Sequence, residues 1–425
     1  MNDSSTMIIK KICLFFLLSA PCPVFGNGFR LVSQDAFAAA RGEAFAATAD
    51  NPSAVHYNPA GISQLEGSQV RSGVYALNFE PTFTPPAGRA NSGTLYEIED
   101  EDALAPQLYG TYRIPDSPLT VGLGIYAPHG ASVTWPQNTG FRAVATAGEL
   151  TYLRFNPVIA CEILPGLSVA GGLMVDHAEL LLEQGLRRSE RPLANSFRFD
   201  GDDISLGCNL GILWKINERF SIGATYRSAV KQNFDGHTNI EQQPIIQPTE
   251  VPASAELEFP YTAVVGLSYR PTSRWNIEVN ADYSNWSSMD QFVIRQSERP
   301  PFPVQQNIPV TLAFQDSWIY KLGATRYFDA GWYASAGYVF NQNSVPDDFY
   351  SPTVADLDRH FLTAGIGRKW SRYQLDVTYQ FGFAEDREVT DSLPPSSPAR
   401  FVGQNADGTY GFGSHGLLIS LGMKF

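Results

Sequence analysis

The sequence predicts an all-β protein: a 14-stranded antiparallel transmembrane β-barrel with an N-terminal hatch, or plug, inside its lumen. Three observations carry that prediction. Apolar and polar residues alternate with a period of two through segment after segment; short and long connections alternate between the segments; and the stretch Asn27–Ser68, ahead of the first of them, is not strand-like. Beyond the first residues no apolar run approaches the roughly 20 residues of a spanning helix, whereas a membrane strand needs only about 9 to 11, with every second side chain in lipid. The 36 glycines and 12% aromatic content suit such strands, and a formal charge of −13 argues against a nucleic-acid partner.

In chain order, residues 1–26 read as a secretory signal peptide, with Lys10 and Lys11 before the apolar run Ile12–Leu18 and small-residue positions at Val24 and Gly26. Pro21 and Ser19 make Cys22 a poor lipid-attachment site. Residues 27–68 form the hatch: rich in Ala and Gly, punctuated by Asn51, Pro52, Asn58, Pro59 and Gly61, with Asp35–Ala49 suited to one or two short helices packed through Phe37 and Phe45.

Residues 69–425 form the barrel. Its expected strands are Val70–Phe79, Leu104–Ile114, Leu119–Ala127, Glu149–Ile163, Leu167–Glu183, Ile204–Ile216 and Phe220–Phe234, then Glu256–Arg270, Arg274–Phe292, Val310–Tyr327, Gly331–Asn341, Arg359–Trp370, Arg372–Phe383 and Gly413–Phe425. Short turns at Pro115–Pro118, Leu164–Gly166, Asn217–Arg219, Pro271–Ser273, Phe328–Ala330 and Ser371 face the periplasm, and long loops fill the other gaps. A sandwich or propeller also alternates, but no blade-length repeat is visible. The last strand carries Leu417, Ile419, Leu421, Met423 and terminal Phe425, which resembles the signal read by the barrel assembly machinery of Gram-negative outer membranes.

Several residues have functional readings. Alternation puts Arg227 and Lys231 together on the lumen face of one strand, where a carboxylate leaving water needs a cation; Glu256, Glu258, Glu278 and Asp282 are also expected inward, and Arg154 is a weaker candidate. Leu180 and Leu182 on one face, with Leu181 on the other, offer an apolar lining for a ligand tail or for packing against the hatch. Cys161 and Cys208 point outward two strands apart, which excludes a disulfide. Loops carrying Arg187, Arg188, Arg191 and Arg198 suit lipopolysaccharide or plain solvation, and Glu97, Glu99, Asp100, Glu101 and Asp102 form an acidic patch. His56, His129, His177, His237, His360 and His415 show no metal-binding pair, and no nucleophile elbow or triad spacing is seen, so neither an enzyme nor a cofactor or metal is expected.

Asn58, Pro59 and Ala60, the run Gly122, Leu123, Gly124 to Pro128, His129, Gly130, and Tyr226, Arg227, Ser228 followed by Val230, Lys231, Phe234 and Gly236 stand in a telling order. With Trp286, Ser287 and the cluster Asp356, Asp358, Arg359, the chain resembles the FadL, OmpP1 and TodX family of outer-membrane long-chain fatty acid transporters over nearly its whole mature length. The resemblance implies a monomeric channel for passive uptake of hydrophobic molecules, long-chain fatty acids above all, with a hatch at Asn58, Pro59 and Ala60 and lateral exit at a third strand kinked by Gly122, Gly124 and Pro128. It further implies that Phe29 and Leu31 reach the ligand pocket. Residue chemistry alone also reads Asn58–Ala60 as a turn and Gly122–Pro128 as an ordinary strand end. Two other functions stay open: import of neutral aromatic or alkane hydrocarbons, and a structural or adhesive barrel with a static plug.

Overall fold

A computed structural model describes residues 28–31, 33–89, 91–99, 102–189, 194–244, 246–300, 304–394 and 396–425. The expected signal peptide lies outside them, as do Asp100, Glu101 and Arg191. Within them a single antiparallel sheet closes on itself through fourteen barrel strands. They are β1 (Ser68–Thr84), β2 (Asp102–Arg113), β3 (Leu119–Tyr126, resuming at Ala131–Thr134), β4 (Ala147–Leu164), β5 (Leu167–Gln184), β6 (Asn195–Lys215) and β7 (Phe220–Arg227, then Val230–Gln242). There follow β8 (Ile246–Phe259, then Thr262–Thr272), β9 (Trp275–Ser284, then Gln291–Gln296), β10 (Asn307–Thr311, then Ser317–Tyr327), β11 (Trp332–Asn341), β12 (Arg359–Trp370), β13 (Tyr373–Ala384) and β14 (Gly408–Lys424). Closure runs from Gln69↔Lys424 to Thr84↔Thr409, which joins the last strand to the first.

The outer face carries the membrane signature. Near one rim Tyr226, Tyr261, Tyr283, Trp318, Tyr320 and Phe340 form a chain of ring contacts; near the other, Phe220 stacks on Tyr269, and Arg326 and Arg368 cover Trp275 and Trp332. Between them point Leu206, Leu210, Val265, Leu322 and Leu362. Trp318 and Phe328, at opposite ends of β10, are ten residues apart. At about 3.3 Å per residue and a tilt near 40° that separates the girdles by about 25 Å, the height of an outer-membrane apolar band.

Two sequence expectations are corrected here. The stretch between Phe234 and Glu256, expected to be a long external loop, is mostly strand, with β7 and β8 pairing from Val230↔Phe259 up to Gln242↔Ile246. Above the membrane the outward positions become polar, so the alternation loses contrast although the ladder continues. Secondly, the breaks in β7, β8 and β10 reverse which residues face inward: Arg227 and Val230 are both buried, as are Phe259 and Thr262. Since a one-residue shift moves a whole strand's side chains to the other face, Lys231, Glu256 and Glu258 point outward. Glu278 and Asp282 are inside, as expected.

Residues 28–31 and 33–63 are almost all buried, and their short helices pack against the strands. Ala-rich α1 (Ala36–Ala40) is buried along its whole length and capped by Asp35, whose carboxylate accepts from Phe37 N at 3.1 Å and Ala38 N at 3.2 Å. α2 (Ala54–Tyr57) runs into a 3₁₀ turn at Pro59–Gln64. Buried charge fixes the segment to the wall: Arg71 on β1 pairs with Asp35 and, at 2.8 Å, with Asp376 on β13.

Candidate ligand passage

Three layers stack inside the barrel above and around the plug. The outermost is an apolar cavity of about 90 Å³ reached by Phe29, Leu180 and Leu182, with Phe197, Leu257 and Ile294 also in its wall. Among the described residues its charged lining is the acids Glu149 and Glu183, with no Lys or Arg. Leu31 is buried but does not line this cavity.

Below it sits a collar of rings. Tyr152 and Phe259 are 5.3 Å apart, His129 lies 5.0 Å from the first and 5.1 Å from the second, and Phe29 lies 6.2 Å from Trp286. The sequence makes this layer by continuing one inward row: on β4 the order is Leu150, Tyr152, Arg154, and on β5 Leu180, Ala178, Asp176.

The lowest layer is charged. Arg154 grips Asp176 with bonds of 2.6 and 2.7 Å, and Asp282 accepts from both Arg30 at 2.6 Å and Lys321 at 2.7 Å. Arg227, 7% exposed, donates to the backbone carbonyl of His56, while its Nε has no partner. Four cations here face the two carboxylates Asp176 and Asp282. Burial, followed by the Arg227, Arg30 and Arg154 cations, holds the imidazole of His56, on α2, well below its usual range. Arg227 is thus where alternation placed it, with Arg154 nearby, but Lys231 is not: its side chain is 53% exposed and meets Glu256 at 2.7 Å on the outer surface. Arg30 and Lys321 were missed; the one visible signal was a cation inside the apolar start Phe29–Arg30–Leu31.

Beside these layers the wall has a gap. β2 pairs with β1 from Asp102 to Tyr112 but with β3 only from Leu108 to Arg113, rejoining at a Glu99 N to Thr134 O bond of 2.9 Å. Residues 127–130 leave the ladder, and Pro128 has no N–H to offer it. The plug's start serves them instead: Leu31 N donates to Pro128 O at 2.9 Å, Gly130 N to Phe29 O at 3.0 Å, and Gln34 Nε2 to Ala127 O at 2.7 Å. Gly122 and Gly124 are not in the break. They sit in regular pairing, where a Cβ would press on Val55 of α2.

Asn58, Pro59 and Ala60 are fully buried on the β6 side. Asn58 donates to Ala46 O at 2.7 Å and to Ile212 O of the wall at 2.9 Å, and its side-chain oxygen accepts from Ala60 N at 3.2 Å. The tripeptide therefore starts a 3₁₀ turn and ties it to a strand, away from the apolar cavity.

Comparison with known proteins agrees with this layout. A family model for outer membrane protein transport proteins (OMPP1/FadL/TodX) matches residues 19–423. A long-chain fatty acid transport protein of Escherichia coli O6:H1 is 24% identical over 79% of this chain and 71% of its own length; a 47 kDa outer membrane protein of Pasteurella multocida is 24% identical over 80% and 82%. Among solved structures, a Pseudomonas aeruginosa FadL homologue superposes with TM-score 0.79 at 17% identity, covering 94% of this chain and all of the other, and the P. putida toluene transporter TodX with 0.70 at 14%, covering 93% and 99%.

Proposed function

The chain belongs to the OMPP1/FadL/TodX family of outer-membrane transport proteins of Gram-negative bacteria, and from that premise we propose that it admits long-chain fatty acids by diffusion. Members of the family are transport channels rather than enzymes. The observation that carries the fatty-acid reading is the apolar cavity standing over a layer with surplus positive charge and an unpartnered Arg227 Nε. From Leu150 to Arg154 is four residues of β4, or about 13 Å, so a chain lying past the ring collar brings its carboxylate to Arg227 and Arg154 while its tail stays dry. Each methylene kept out of water is worth about 0.8 kcal/mol, which favours leaving sideways through the gap at residues 127–130 over crossing to the periplasm. In this reading the plug's start, Phe29–Leu31, yields to the ligand, while Asn58, Pro59 and Ala60 hold the rest of the hatch in place.

A second reading, import of neutral hydrocarbons, is favoured by one feature: among the described residues the cavity is lined by no cation and by the acids Glu149 and Glu183. Uptake of labelled oleate and toluene into importer-deficient cells separates the two, and uptake of neither leaves the structural or adhesive barrel. Arg227→Met tests the head-group role: we expect oleate binding to weaken by about 1.5–3 kcal/mol, the worth of a hydrogen bond to a charged group, with toluene unchanged. Equal losses for both count against it. The same reading has the chain act as a monomer, inserted by the barrel assembly machinery through its C-terminal strand, with Arg187, Arg188 and Arg198 toward lipopolysaccharide.

A further inference from the structure

At the end of the barrel that carries the long loops, the connections 85–101, 135–146, 185–194 and 385–407 come together around a second cavity. Its volume is about 810 Å³, against about 90 Å³ for the apolar one, and falls within the roughly 300–1,000 Å³ of small-molecule sites. The apolar part of its lining is Phe83, whose ring packs 4.7 Å from Phe141 and 4.9 Å from Tyr410, with Pro85 and Pro136. The rest is polar and carries both signs of charge, on Arg89, Arg188 and Glu99.

Hydrogen bonds between the loops hold this lining in shape. Arg89 pairs with Asp407 at 3.1 Å, and Asn138 O accepts from Asn91 Nδ2 at 3.2 Å and from the Tyr96 hydroxyl at 2.9 Å. Arg142 Nε donates to Gln137 Oε1 at 2.6 Å, and Ala143 N to Gln404 Oε1 at 2.8 Å. With each glutamine oxygen taken, the end of the amide that remains is its NH₂ donor. The Thr139 hydroxyl, on a residue only 1% exposed, has no partner among the described residues. Arg188 is held through Nε, to Val402 O at 3.0 Å, and among the described residues no carboxylate lies within ion-pair distance of it.

Such a lining selects its ligand. An acyl chain would cover amide and guanidinium donors without replacing their hydrogen bonds, and a bare phosphate would suit Arg188 but share the cavity with Glu99, a like charge. A saccharide bearing one anionic group fits every part: its C–H edges meet Phe83 and the prolines, its hydroxyls meet the amides, Thr139 and Glu99, and its anion meets a guanidinium. We propose that this external pocket binds an acidic saccharide, with the phosphate or carboxylate on Arg188. The site lies apart from the fatty-acid passage proposed above and gives the placing of Arg188 toward lipopolysaccharide a defined pocket. The same chemistry is offered by the phosphorylated core sugars of that glycolipid and by free acidic sugars. Because the loops already fix the lining, little ordering is left to oppose binding.

Calorimetric titration of the full chain in detergent with core oligosaccharide freed from lipid A, before and after phosphatase treatment, tests this. The phosphorylated form should bind at least about tenfold tighter than the treated one, the worth of a hydrogen bond to a charged group, and Arg188→Gln should erase that difference. Peptides covering residues 135–140 and 402–405 should gain protection from hydrogen exchange on binding. Absence of binding, an unchanged preference in Arg188→Gln, protection confined to other peptides, or displacement by inorganic phosphate or by lipid A alone as readily as by the saccharide each overturns the proposal. Glucose 6-phosphate binding as tightly as the oligosaccharide supports it with free sugars as the source; weaker binding supports it with the glycolipid. Oleate uptake is a separate readout, so its failure faults the transport reading while saccharide binding still decides this one.

Discussion

Toward β7, β8, β10 and β11 the plug lies directly on wall backbone, while at β2 and β3 it stands in for wall that is missing. On the first side inward glycines face one another across strand pairs, Gly223 against Gly266 and Gly323 against Gly337. A Cβ at Gly223 would collide with the carbonyl of Ala46, and one at Gly323 with that of Arg41. Around these glycines the ladder is continuous. On the second side the ladder stops at Leu108↔Ile125, and backbone groups of residues 128 and 130 find partners only in Phe29 and Leu31. The difference teaches where motion is cheap: the first contact cannot slide without steric conflict, whereas the second is held by a few hydrogen bonds.

Variants can break or sharpen that contrast. The largest effect is expected from Arg71→Ala, which strips the cation from buried Asp35 and Asp376 and should cost about 3–5 kcal/mol, seen as a lower denaturant midpoint in detergent. Gly223→Val should cost about 1–3 kcal/mol through overpacking against the plug backbone. Gly110→Ala on β2, where an added Cβ meets nothing within 4 Å, should change the midpoint by under about 0.5 kcal/mol; a cost like that of Gly223→Val would show that wall glycines matter for the strand rather than for the plug. Lys231→Met, on the outer surface, should be the mildest, within about 0.5 kcal/mol and without effect on oleate binding.

The barrel was legible in the sequence because its physics repeats. Every expected strand has a counterpart, and β12 was read to the residue as Arg359–Trp370, since lipid on one side and a polar lumen on the other keep the contrast of alternation high. The passage was legible only where a strand runs without interruption from the membrane inward. Arg227 was placed correctly because Phe220–Arg227 is continuous; Lys231 was not, because the two residues that break β7 reverse every later side chain and carry no local signature of doing so. The same reversal hid Leu257 and the upper part of β10 as cavity lining. Pro128 lies where residues 127–130 leave the ladder, whereas Gly122 and Gly124 lie in regular pairing with Val55 against them, a closeness that depends on what packs opposite and not on the strand itself.

The plug also stands ahead of the strands, while some of its anchors stand at the far end of the chain. Ala36 N donates to the Ser420 hydroxyl at 3.0 Å, 384 residues on, the Thr378 hydroxyl donates back to Ala36 O at 2.6 Å, and Gly28 N reaches Asp356 at 3.2 Å. The segment that leads the chain therefore gains part of its anchorage only once the closing strands are in position. Assembly of this protein is in that sense circular: the contacts of Ala36 with Ser420 and Thr378 join the two ends of the chain, and contacts of such sequence separation are among the slowest to form. Truncation from the C-terminal side should then unmoor the N-terminal segment before it disturbs any strand in the middle of the sheet.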